Sequence, residues 1–254
     1  MEINTAPRST LEQGSPCDVR IRPPYFCRAM RNLFIAALLP VALTIACNNG
    51  KAGPDGAPPS ADRSSPDPWR ERDAWQKPEE LIALMGQDLS GMTIVDLFAE
   101  DGYFSFRMVA AGARVIAVVN DPANAERIEE RKKELGLGDE RLVVRTVPSG
   151  DPGIGPNEAD MALLAHQFLR IADRKTYFQL LRRGLKEPRP LFMLEWQDRQ
   201  TPMGPPASER RSVDEIMDMV SELEYSDVGA HSAKIPDQVI FVITDYIDLE
   251  GADM

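Results

Sequence analysis

From residue 92 onward, short runs of β-branched and apolar residues alternate with stretches of helical character, and this alternation restricts the chain to very few folds. Met92–Phe98, Arg114–Val119, Leu142–Val147, Ala159–Leu164, Leu191–Glu195 and Gln238–Thr244 read as strands. Each is too short to be a helix and is predominantly apolar, as expected of strands covered on both faces. Between them, Tyr103–Ala111 is helix-like and stopped by Gly112. Asn120-Asp121-Pro122 makes a turn into a charged helix over Asn124–Leu135, and Ile171–Leu185 follows as another. Ser212-Val213-Asp214-Glu215 is a capping box opening a helix to about Leu223. Ahead of the first strand, Pro78-Glu79-Glu80 opens a further helix that Gly86 ends. The pattern predicts an α/β, doubly wound fold on a parallel sheet with right-handed crossovers. Gly229–Ala233, which contains His231, reads as a loop before the last strand.

The N-terminal fifth is different in kind. Leu33–Ala46 is an uncharged apolar run of fourteen residues, shorter than the ~20 that a helix needs to cross a hydrocarbon core, and it suits the hydrophobic segment of a signal peptide. Met30-Arg31-Asn32 supplies a compact basic start for it. Translation is therefore expected to begin at Met30, with residues 1–29 an extension of the gene model or a leader. The run ends in Leu43-Thr44-Ile45-Ala46-Cys47, which is similar to the lipobox of bacterial lipoproteins, with Cys47 as the lipidated residue and Thr44 in place of the usual aliphatic residue. Residues 30–46 are thus read as a lipoprotein-type signal. Residues 48–68, rich in Gly, Pro, Ser and Asp, are read as a disordered linker, residues 69–248 as the folded domain, and 249–254 as a tail. The other cysteines, Cys17 and Cys27, lie upstream of the signal, so the domain has no cysteine for a disulfide, a zinc cluster or a thiol nucleophile.

The formal net charge is −11; residues 1–46 hold five Arg against three acids, so the remainder is two units more negative, at −13. An acidic surface repels phosphate backbones and anionic headgroups. Nucleic-acid partners are excluded on this ground, and membrane attachment is expected through the lipid anchor only. The expected location is the bacterial cell envelope, on the periplasmic side, with secreted or cytoplasmic residence as the alternative.

A strand ending in Asp96, a turn ending in Gly102-Tyr103-Phe104 and a helix, followed by a second strand and an acidic turn, resembles the layout of class I SAM-dependent methyltransferases. The resemblance runs from about Trp75 to Thr244. Trp75-Gln76-Lys77-Pro78-Glu79-Glu80 and Thr201-Pro202-Met203-Gly204-Pro205-Pro206 look like segments of an exported subgroup described only as predicted methyltransferases. It implies a Rossmann-like, mostly parallel sheet of seven strands with the last inserted antiparallel, matched by Gln238–Thr244. It also implies S-adenosyl-L-methionine (SAM) as cofactor, with Asp96, Gly102, Asp121 and Asp151 at family-matched binding positions. His166, in Ala165-His166-Gln167-Phe168, falls near the place of methyl transfer and is the candidate general base.

Three positions depart from the family pattern. Its first-strand motif, Asp-x-Gly-x-Gly-x-Gly, is met here by Asp96-Leu97-Phe98-Ala99-Glu100-Asp101-Gly102. Phe98 places a ring where the backbone should approach the cofactor. Glu100 brings a charge toward the SAM carboxylate, and two like charges ~4 Å apart at an effective dielectric near 20 repel by about 4 kcal/mol, roughly three decades of affinity. Val119 stands where the ribose-binding acid belongs, and Asp121 could replace it only by a shift of the turn.

Other chemistries find little support. No Gly-x-Ser-x-Gly elbow or phosphate-binding glycine loop occurs, and Gly150–Gly155 lies between strands. Asp96, Glu100, Asp101 and Asp121 lack the spacing of a calcium loop, so no metal is expected. The departures favour a methyltransferase-family lipoprotein with a degenerate SAM site, working without a cofactor as a pseudoenzyme or binding module. The alternative is an active SAM-dependent methyltransferase on an unidentified small molecule or envelope component.

Overall fold

A computed structural model of the chain describes residues 67–245. The expected signal segment, Cys47, nearly all of the linker and the tail lie outside the described residues.

The apolar runs form a seven-stranded sheet: β1 (Thr93–Leu97), β2 (Arg114–Val119), β3 (Leu142–Thr146), β4 (Met161–Ala165), β5 (Leu191–Trp196), β6 (Asp227–His231) and β7 (Gln238–Thr244). Their spatial order is β3-β2-β1-β4-β5-β7-β6. The β3-β2-β1-β4-β5 portion is parallel, and β7 runs antiparallel between β5 and β6, with Trp196 opposite Gln238 and His231 opposite Ile240. The seven-stranded, mostly parallel Rossmann-like architecture expected from the resemblance is the one found.

Helices α1 (Arg70–Gln76), α2 (Pro78–Met85), α3 (Tyr103–Ala110), α4 (Pro122–Glu134), α5 (Arg174–Gly184) and α6 (Val213–Ser221) accompany the strands. Two apolar layers result. One packs Leu81, Met85, Phe104, Met108 and Ile128 with Ile94, Val115 and Leu163; the other packs Tyr177, Phe178, Leu181, Ile216 and Val220 with Val95, Leu164 and Phe241. Because both faces are covered, every residue of β5 is buried. The α6 capping box forms, with Ser212 Oγ accepting from Glu215 N and Glu215 accepting from Ser212 N.

Two elements differ from the sequence reading. His231 ends a strand, not a loop: Asp227-Val228-Gly229-Ala230-His231 is the half-exposed edge of the sheet, and an edge strand needs no run of large apolar side chains to pair along one side. Helix α1 is the second. Its anchors are two tryptophans, Trp69 and Trp75, so it shows no apolar periodicity.

Parallel order from β1 outward in both directions leaves a switch point between β1 and β4, the place where ligands bind in open α/β sheets. The carboxyl ends of β1, β4 and β5 deliver Phe98–Gly102, His166-Gln167 and Trp196 to one rim.

Candidate functional site

The loop after β1 holds three left-handed residues. Phe98 has φ 54°, Glu100 φ 51° and Gly102 φ 79°, at the three places where the family motif has glycine. Ala99 N donates to Val118 O at 2.8 Å and Gly102 N to Ala99 O at 2.8 Å, fixing the turn from within. A side chain in this region costs roughly 1–2 kcal/mol, so Phe98 and Glu100 carry strain that glycine would not. At Gly102 glycine is required sterically as well, since a Cβ there would lie 3.0 Å from both Ile128 Cγ1 and Phe106 Cε2. The Phe98 ring stacks on Tyr177 of α5, with centroids 5.7 Å apart. Glu100 is exposed, and its Oε1 accepts from Gln167 Nε2 at 2.7 Å. In the open, its charge acts through nearly bulk solvent, which lowers the like-charge repulsion at ~4 Å to about 1 kcal/mol.

Asp96 lies beneath that loop, buried, with Ser105 Oγ donating to its Oδ2 at 2.6 Å. Burial pushes its carboxyl up to about 7; Ser105 opposes the rise, and the charges of Asp101 and Glu100 add to it. Asp101 turns away toward α1, accepting from Trp69 Nε1 at 2.7 Å and pairing with Arg72 at 3.3 Å. At the end of β2, Val119 is buried in the core with no carboxylate to offer. Asp121 caps α4, its Oδ1 accepting from Ala123 N at 2.9 Å. Asp151 is exposed and closes its own turn on Gly153 N at 2.8 Å; its charge adds to burial in raising the Tyr177 hydroxyl.

His166 ends β4 with φ 58° and donates its backbone N–H to Leu194 O at 2.7 Å. Its ring stacks on Trp196, 4.6 Å between centroids, and Trp196 stacks in turn on Trp75 of α1 at 5.8 Å. Both ring nitrogens are buried, and neither makes a well-formed hydrogen bond among the described residues, the Gln238 side chain offering only a weak one. Burial, then the charge of Arg72, brings the imidazole down to about 3. It is therefore neutral at physiological pH and a much weaker base than an ordinary histidine.

Beyond His166 a cleft of about 550 Å³ opens between the ends of β4 and β5 and the segment leading into α6. Glu100, His166, Gln167, Glu195 and Trp196 line one side, with Arg170, Arg174, Arg210 and Arg211 on the other; Val119, Asp121 and Asp151 are not part of it. Glu195 is buried, its Oε1 accepts from Phe168 N at 3.0 Å, and burial pushes its carboxyl up to about 7. Sequence reasoning missed Glu195 and the arginines. The legible signal was one acid near the end of an otherwise apolar strand, Leu191-Phe192-Met193-Leu194-Glu195-Trp196.

The structure thus brings Asp96, Glu100, Gly102 and, through Gln167, the end of β4 to one rim. Asp121 and Asp151 are each held by their own local turns. Among the described residues no group of three or more His, Cys, Asp or Glu is placed to hold a metal ion, and no helix is long and apolar enough to cross a membrane.

No family model matches the chain, and no curated protein matches it in sequence. Solved structures do match. A SAM-dependent methyltransferase from Aquifex aeolicus aligns at TM-score 0.61 with 20% identity, over 70% of this chain and 93% of its own. Phosphoethanolamine N-methyltransferase 2 of Haemonchus contortus, in complex with S-adenosyl-L-methionine, aligns at 0.56 with 12% identity, over 68% of this chain and 53% of its own. A 4+2 cyclase, SpnF, aligns at 0.54 with 13% identity, over 66% and 81%. The chain has the fold of class I SAM-dependent methyltransferases.

Proposed function

We propose that the chain is a methyltransferase-fold protein that has lost its SAM site and works as a binding module, its ligand an unidentified small molecule or envelope component taken into the cleft beside Glu195. One observation carries this reading. The loop after β1 keeps the left-handed backbone that glycines would adopt freely, yet two of its three positions carry Phe98 and Glu100. The strain is retained, and two side chains stand where glycine would offer bare main chain. The buried Val119 supplies no acid for a ribose and Asp121 is engaged in capping α4, which supports a poor fit of the residues present to the cofactor. The signal-like Leu33–Ala46 run and Cys47 support a place on the cell envelope, lipid-anchored and on the periplasmic side. SAM is a cytosolic metabolite, and that location supports the same reading.

An active methyltransferase remains the second reading, favoured by a buried Glu195 whose carboxyl titrates near neutrality at the wall of the cleft. Titration of the purified full-length chain with SAM separates the two. The expected result is no heat and no thermal shift at millimolar SAM, and a dissociation constant in the low micromolar range would refute the pseudoenzyme. Restoring glycine by Phe98→Gly with Glu100→Gly tests the obstacle: binding that appears in the double variant assigns it to those side chains, and continued silence assigns it to Val119 or to a wider remodelling of the site.

A further inference from the structure

Four arginines line this one cleft, whereas elsewhere around the fold some arginines are ion-paired and others, Arg70, Arg114, Arg127, Arg141 and Arg183, are not among the described residues. Arg107 pairs with Asp67 and Asp73, Arg145 with Glu158, Arg182 and Arg189 with Asp245, and Arg199 with Asp237. Arg170, Arg174, Arg210 and Arg211 form no ion pair among the described residues, although the chain carries a net charge of −11. Arg174 donates only to Ile171 O and Arg211 only to Arg210 O. Arg170 donates its backbone N–H to Gln167 O at 3.0 Å, and its guanidinium makes no hydrogen bond among the described residues. Arg210 is buried, and its N–H groups go to the carbonyls of Pro205, Gln197, Arg199 and Met203. Its hydrogen bonds are satisfied, but no carboxylate neutralises its charge.

Four like charges around one concavity repel one another, weakly where Arg170 and Arg211 are exposed and more strongly toward the buried Arg210, and an anion that enters relieves that repulsion. The acids in the lining offset them only in part. Burial raises the Glu195 carboxyl to about 7 against the opposing charge of Arg170, Glu100 is hydrogen-bonded to Gln167, and three acids face four arginines. At about 550 Å³ the cleft is of a size for a small molecule rather than a macromolecule. Leu169, Pro205 and Met219 add an apolar wall.

We propose that the cleft binds a small molecule carrying an oxyanion, a phosphate ester or a carboxylate, held by Arg170, Arg174 and Arg211 with its apolar part against Leu169 and Met219. Guanidinium groups suit such oxygens because they donate paired, charge-assisted hydrogen bonds in a plane. The inference rests on the cleft being the working site, and it holds whether or not SAM binds elsewhere on the rim.

The test is a thermal-shift and calorimetric titration of the full-length chain with inorganic phosphate, citrate and a short-chain phosphatidylglycerol, against sodium chloride at equal ionic strength. Phosphate or citrate is expected to raise the melting temperature where chloride does not. A response confined to phosphatidylglycerol also supports the oxyanion site and identifies its source as a lipid headgroup. Arg170→Glu, at a side chain without structural hydrogen bonds, should weaken the response at least ~10-fold, as removal of one charge-assisted contact predicts, while Arg170→Lys retains most of it. A unchanged ligand-free melting temperature in both variants confirms that the fold is intact. Absence of any response, a response that chloride reproduces, or one undiminished in Arg170→Glu with Arg174→Glu overturns the proposal. The SAM titration reads the lost-cofactor reading separately, since either result can occur with either outcome here.

Discussion

Replacing Asp96 with Asn should change the pH dependence of stability by an amount the structure sets. Asp96 is 2% exposed, and its one side-chain hydrogen bond comes from Ser105. Its carboxyl rises from 3.8 to about 7, chiefly through burial. A shift of roughly three units corresponds to about 4 kcal/mol between the folded and unfolded states. The folded pKa is the higher one, so the stabilisation is complete below about 4 and is lost as pH rises through about 7. Asparagine has nearly the same shape, its oxygen can accept from Ser105, and it does not titrate. The stability of Asp96→Asn relative to wild type should therefore climb by ~4 kcal/mol between pH 4 and pH 8. Urea unfolding at a series of pH values measures this directly, provided the slope with denaturant is the same for both proteins. Glu195, raised like Asp96, and His166, lowered so that its contribution is lost as pH falls from 6.5 through about 3, titrate in both proteins and cancel in the difference. A difference that is flat from pH 4 to pH 8 would refute the assignment of a burial-raised carboxyl under the loop.

Two further substitutions probe the loop and the cleft wall. Gly102→Ala should lose at least ~2 kcal/mol, because the left-handed φ alone costs a side chain about 1–2 and the new Cβ would press on Ile128 and Phe106 at 3.0 Å. Glu100→Gly, two residues earlier, should stay within ~1 kcal/mol of wild type, relief of strain offsetting loss of the Gln167 bond; chemical denaturation of the pair compares the two signs. Arg210→Met should lose at least ~2 kcal/mol and open the chain between Gln197 and Arg210 to protease, since that guanidinium is what gathers the segment's carbonyls. Resistance equal to wild type would show that the segment holds without it.

The strands were legible because burial on both faces makes them continuous apolar runs. Arg114–Val119 and Gln238–Thr244 have the bounds expected, and the capping box at Ser212 forms as its spacing predicts. Strand β6 escaped because an edge strand can be built from Asp, Gly, Ala and His when only one side pairs. Helix α1 escaped because two tryptophans at Trp69 and Trp75 seat it, against Phe106 and Trp196, where periodicity has nothing to count. In the site, the sequence showed that Phe98, Glu100 and Val119 depart from the family pattern, but not where their side chains go. Solvent exposure of Glu100 and capping by Asp121 depend on the turns around them. The cleft was invisible for the same reason: Arg170, Arg174, Arg210 and Arg211 come from segments on either side of β5, and only the folded sheet brings them to one concavity.

The left-handed turn at Phe98 and Glu100 also bears on how such chains are recognised. A residue alphabet treats Gly to Phe or Gly to Glu as a complete loss of signal, and no family model or curated sequence matches. The main chain through that turn holds positive φ at all three positions, and solved structures align over about two thirds of the chain at 20% identity or less. Shape here outlives spelling. A search for other members of the group should therefore be keyed to three alternating positive φ angles after the first strand, and should leave the residues that adopt them unspecified.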